Sequence, residues 1–126
     1  MTLLATVLVA LAALLHGYIF LMESLWWTRP ATWRRFGVRD QATAEVIAPM
    51  AYNQGYYNLF LGLGAAIGLV LFHTGSETAG RTLVLFTTAS MALAAVVLVT
   101  TGKSYLKAAL TQGTLPLLGF LAFLLI

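Results

Sequence analysis

Apolar residues run along this chain in four long blocks separated by short polar interruptions. A membrane span takes about 20 predominantly apolar residues at 1.5 Å rise each. The blocks meet that length and predict helices at roughly 2–27, 44–73, 81–101 and 106–126. Together they make one all-α domain over residues 1–126, an up-down four-helix transmembrane bundle. The first block carries His16 and Glu23 inside it and closes on Trp26 and Trp27, which suit an interfacial anchor. It reads as a span and not as a secretory leader, because no basic segment precedes it and tryptophans stand where a small-residue cleavage site would be. The second block exceeds a perpendicular span, so it projects or tilts, and Pro49 lies in its first turns. Pro116 is expected to kink the fourth helix.

The pattern is broken most sharply at residues 50–64. This stretch puts Asn53, Gln54 and Asn58, with Tyr52, Tyr56 and Tyr57, into an embedded helix. Amides in hydrocarbon are costly unless paired. Gln54 and Asn58 are four apart and share a helix face. His16 and Glu23 are seven apart, so they also share a face, roughly 10 Å apart along the axis. With alternating helix directions, Glu23, Asn53, Gln54, Asn58 and Gln112 fall in one layer, and His16 lies beyond it. Taken singly, each amide serves equally well as helix glue, at about 0.6–2 kcal/mol per contact. Tyr52, Tyr56 and Tyr57 suit packing, and His73 suits the membrane edge. An ionisable group within a span, such as Glu23, is a functional candidate by default.

Composition confirms the setting. Hydrophobic residues make up 60% of the chain and charged residues 9%, against about 25% charged in a soluble domain. Without cysteine there is no disulfide or thiolate metal site. The net charge of +3 reflects loop arginines and lysines, which excludes a nucleic-acid-binding reading. Arg29, Arg34, Arg35 and Arg39 lie in the first loop, and Lys103 and Lys107 in the third. Arg81 alone lies on the other side. This bias predicts that both of those loops are cytoplasmic and both termini are on the outer side. Trp33 and Phe36 among the arginines predict a short segment at headgroup level, for which contact with anionic lipid and a regulatory role stand equally open. Gly62, Gly64 and Gly68 permit close helix contact, and this glycine face is one candidate surface for a homodimer.

Three blocks of residues resemble a known family. They are His16-x-Tyr18-Ile19-x-x-x-Glu23 with Trp26, then Asn53-Gln54-Gly55-x-Tyr57-Asn58-x-Phe60-Leu61, then Gln112-Gly113-x-x-Pro116. The pattern is similar to small four-helix bacterial membrane proteins catalogued as a domain of unknown function, some of them labelled epimerase. The resemblance implies a multi-pass protein of the bacterial inner membrane. It marks His16, Glu23, Asn53, Gln54 and Asn58 as signature positions without roles. Small multidrug exporters also have four short helices and one carboxylate in the first, but their motifs do not match.

Three functions remain open. The preferred one is binding of a small polar or amphipathic molecule, with or without carriage across the membrane, by Glu23, Asn53, Gln54, Tyr57, Asn58 and Gln112. The second is an intramembrane isomerase or epimerase on a lipophilic substrate, with His16 and Glu23 as acid and base. The third is a structural or assembly subunit. No cofactor or metal site is expected, since the two histidines lie at opposite depths and no phosphate-binding glycine loop is present. The expected partners are the bilayer and a small-molecule or lipid ligand.

Overall fold

A computed structural model describes residues 1–126. Helix α1 spans Thr2–Phe20 and runs on through a π-helical turn, Leu21–Leu25. A short helix α2 (Pro30–Arg35) follows, with proline in the first turn, where its missing N–H costs nothing. Helix α3 spans Gln41–His73, α4 spans Glu77–Thr100, and α5 spans Leu106–Leu124 behind a 3₁₀ turn at Lys103–Tyr105. Four helices are long and apolar enough to cross a membrane, as the hydropathy blocks predict. The boundaries shift where polar residues still serve a helix. Asp40 accepts a 2.7 Å hydrogen bond from the Thr43 amide and so starts α3 at Gln41, three residues early. That amide, with the Thr43 hydroxyl second, holds the Asp40 carboxyl below its usual range. Helix α4 likewise begins at Glu77 instead of Arg81, with its acid in the first turn.

The helices form a closed square. Helix α1 packs against α3 and α5, and α4 packs against the same two from the opposite corner. Both termini lie at one end. There Thr6 Oγ1 meets His73 Nε2 at 3.0 Å, and Arg81 donates to the Leu124 carbonyl. The outer surface is apolar, with Leu14 71% and Phe86 68% exposed, as lipid contact requires. The interior is built from small residues: Ala5, Val9 and Ala12 on α1, Gly62, Ala65 and Gly68 on α3, and Gly113 and Gly119 on α5. With lipid outside there is little hydrophobic drive between helices, so close backbone approach and dispersion hold them. The glycine stripe on α3, a candidate dimer surface from sequence, is used inside the chain. Gly62 faces the Ala13 carbonyl of α1, and Gly64 and Gly68 face Thr87 and Val84 of α4. The α4 hydroxyls of Thr87, Thr88 and Ser90 bond back to their own helix, which lets them sit in an apolar bundle.

Pro49 and Pro116 lie inside continuous helices. Each lacks an N–H, so the carbonyls of Glu45 and Gln112, four residues earlier, lose their helical partner. At the end away from the termini, residues 26–51 form a small second core around Trp27, Trp33, Ala44 and Ala51, with Phe36 and Ile47 against it. Trp27 Nε1 donates to the Ala44 carbonyl at 2.8 Å, and Trp33 Nε1 to Gln41 Oε1 at 2.8 Å. Gln41 in turn donates to the Thr28 carbonyl. The first loop is therefore a folded cap on the bundle.

Candidate functional site

The π turn at Leu21–Leu25 sets the geometry. It closes with a hydrogen bond from the Trp26 amide to the Leu21 carbonyl, one residue wider than an α turn. Such turns are frequent at functional positions. Glu23 sits in this turn, and Gly55 of α3 lies directly opposite. A Cβ on Gly55 would fall on Ser24 Oγ and within 3.1 Å of Glu23 Cβ. The absent side chain is what lets the two backbones close. Ser24 Oγ then donates to the Tyr52 carbonyl at 2.8 Å, tying the π turn to α3.

Across this junction Asn58 Nδ2 donates to Glu23 Oε2 at 2.9 Å, and also to the Gln54 carbonyl at 3.2 Å. Glu23 and Asn58 are both half-buried. The second Glu23 oxygen remains free to accept. Beside the pair lies a cleft of about 420 Å³, lined by Glu23, Ser24, Trp27, Glu45, Pro49 and Tyr52 among others. Its walls come from the π turn, the cap and the proline-interrupted start of α3. Its lining therefore combines the carboxyl-bearing Glu23 and Glu45 and the hydroxyl-bearing Ser24 with apolar surface.

His16 lies against Gly62, two turns along α1 from Glu23, and is 1% exposed. Its Nδ1 donates to the Ala12 carbonyl at 2.9 Å, so that nitrogen carries the hydrogen. It does not reach Glu23. Asn53, Gln54 and Tyr57 are exposed, with Tyr57 at 63%. None of their side chains hydrogen-bonds to the Glu23–Asn58 pair. Gln112 is half-buried on α5, diagonally opposite α3 in the square. It sits beside Gly113, which packs on Ala95 of α4. The cleft residues Ser24, Glu45 and Pro49 were not singled out as ligand contacts by sequence. Gly55 stood in a motif without a role, and its position opposite Glu23 was the available signal.

The close fit at Gly55 gives a direct expectation. Gly55→Ala should displace the Ser24 hydroxyl from the Tyr52 carbonyl and push the π turn outward. Overpacking of this kind costs about 1–3 kcal/mol. Thermal unfolding in micelles should show the loss, and amide exchange should rise at Ser24 and Asn58 before it rises in α4. Equal protection throughout would show that the junction absorbs the methyl group.

Fold and site together define a multi-pass α-helical membrane protein with a polar cleft between its first and second spans. The chain belongs to the family described as Protein of unknown function (DUF1304), which matches residues 10–124. No curated protein and no solved structure matches it.

Proposed function

We propose that the protein binds a small polar or amphipathic molecule in the cleft beside Glu23, as a receptor or carrier in the bacterial inner membrane. The observation that carries this reading is Glu23, held by Asn58, in the wall of a cleft of about 420 Å³. Asn58 orients the carboxyl by one oxygen and leaves the other for a donor on the ligand. Trp27, Pro49 and Tyr52 supply an apolar wall for the rest of the molecule. The six-to-one bias of basic residues supports a cleft opening toward the cytoplasmic leaflet, with both termini outside. Acid/base catalysis by His16 and Glu23 has less support. His16 is enclosed in the bundle, has one nitrogen committed to Ala12, and stands two turns from the carboxyl.

The test is extraction of small molecules from protein purified out of its host membrane, followed by mass spectrometry. A compound should accompany the wild type in stoichiometric amount and be lost from Glu23→Gln and from Asn58→Ala. The same compound at the same occupancy in both variants, with helicity intact, removes the proposal.

A further inference from the structure

Four side chains on the lipid-facing flank of α1 and the cap form a second cluster, separate from the cleft. The Tyr18 and Trp26 rings meet edge to face, with centroids 6.3 Å apart. The Arg29 guanidinium lies over the Trp26 ring, 5.4 Å from its centroid. Arg35 Nη1 donates to the Tyr18 hydroxyl at 3.3 Å. Two guanidiniums from opposite ends of α2 thus bracket one aromatic platform.

Nothing in the chain neutralises them. Its acidic side chains number four. Glu23 accepts from Asn58, Asp40 from the Thr43 amide, and Glu45 from Gln41. Glu77 starts α4 at the far end of the bundle. A guanidinium presents a planar fork of donors that matches phosphate oxygens. Arg29 spends no donor within the chain, and Arg35 spends one. Below the platform, Tyr18, Leu14, Leu11 and Val7 follow one another at helical spacing and are all exposed. They make an apolar track running from the charged site toward the middle of the membrane.

We infer that Arg29 and Arg35, on the Tyr18–Trp26 platform, bind the phosphate of an anionic phospholipid whose acyl chain lies along Leu14, Leu11 and Val7. The arginines hold the headgroup, Trp26 and Tyr18 sit at its glycerol level, and the track below takes the chain. The track is what selects a lipid over free phosphate. This site shares no side chain with the Glu23 cleft, so the two stand or fall separately.

The test reconstitutes the full chain into phosphatidylcholine vesicles and measures tryptophan quenching by brominated phosphatidylglycerol and brominated phosphatidylcholine. The wild type should favour phosphatidylglycerol. Arg29→Gln and Arg35→Gln should each reduce that relative preference about fivefold, as expected for one basic group at the surface. The double variant should bring it close to unity, while Lys103→Gln with Lys107→Gln should leave it unchanged. If the double arginine variant loses helicity, Arg29→Lys with Arg35→Lys keeps the charge and removes the fork, and must still lower the preference. Three results would overturn the site. One is equal quenching by both lipids in the wild type. Another is an equal loss in the Lys103→Gln, Lys107→Gln variant. The last is abolition by inorganic phosphate but not by chloride at matched ionic strength, which would make the site one for the free ion.

Discussion

Trp27→Ala is expected to unfold the cap and lower the stability of the whole chain by about 3–5 kcal/mol, the usual cost of deleting a buried tryptophan. Trp27 is 7% exposed. It stacks edge to face on Phe36 at 5.1 Å and donates to the Ala44 carbonyl. The truncation removes the ring from the core that joins α2 and α3. Trp27→Phe separates the contributions. It keeps most of the volume and loses the N–H, so it should cost about 1 kcal/mol, the net value of one hydrogen bond. Unfolding in a graded denaturing detergent, with proteolysis followed between residues 28 and 40, reads both. If Trp27→Ala leaves that segment as resistant as the wild type, the second core does not hold the cap.

Gly80→Ala is expected to force α3 and α4 apart. A Cβ there would enter the backbone of Phe72 and stand 2.6 Å from the Gly68 carbonyl oxygen. Backbone cannot turn aside as a side chain can, so the helices must separate along their seam. The cost should be about 1–3 kcal/mol or more. Gly17→Ala supplies the contrast, because a Cβ on Gly17 meets nothing within 4 Å. There the added methyl group should be neutral or stabilise by roughly 0.5–1 kcal/mol through lower chain entropy. One substitution type then gives opposite signs at two positions of one bundle. A fall in unfolding temperature for Gly80→Ala no larger than for Gly17→Ala would show that the α3–α4 seam is looser than its geometry.

The four spans were legible because hydropathy depends on length and composition, which a membrane constrains strongly. The faces of the helices were less so. In a soluble helix the buried stripe is the apolar one. Here both sides are apolar, and the buried stripe is marked by size: Ala5, Val9 and Ala12 inside, Leu4, Leu11 and Leu14 outside. Antiparallel depth put the whole amide layer opposite Glu23 without singling out Asn58. Equal spacing carries that placement, since His16 and Glu23 on α1 face Gly62 and Gly55 on α3, seven residues apart on each helix. Depth does not give azimuth, which is why Asn53, Gln54 and Tyr57 share the layer yet stay exposed and unbonded to Glu23. Gln112 shares a similar argument but stands on the helix diagonal to α3. The π turn had no sequence signal, as a widened turn needs no particular residue. Helix α2 was legible only as a segment at headgroup level. Its length depends on the tryptophan contacts that fold it onto α3.

The widened turn at residues 21–25 also bears on how the chain could change by single-codon events. A π turn is an α-helix holding one residue more than its pitch accommodates. Deleting one residue within it would let α1 run on as an ordinary helix, with the span and the cap still joined in phase. The bundle would survive such an event, while the carboxyl would swing away from Asn58. Chains differing by one residue at this place could share an architecture and differ in whether they possess a cleft acid at all.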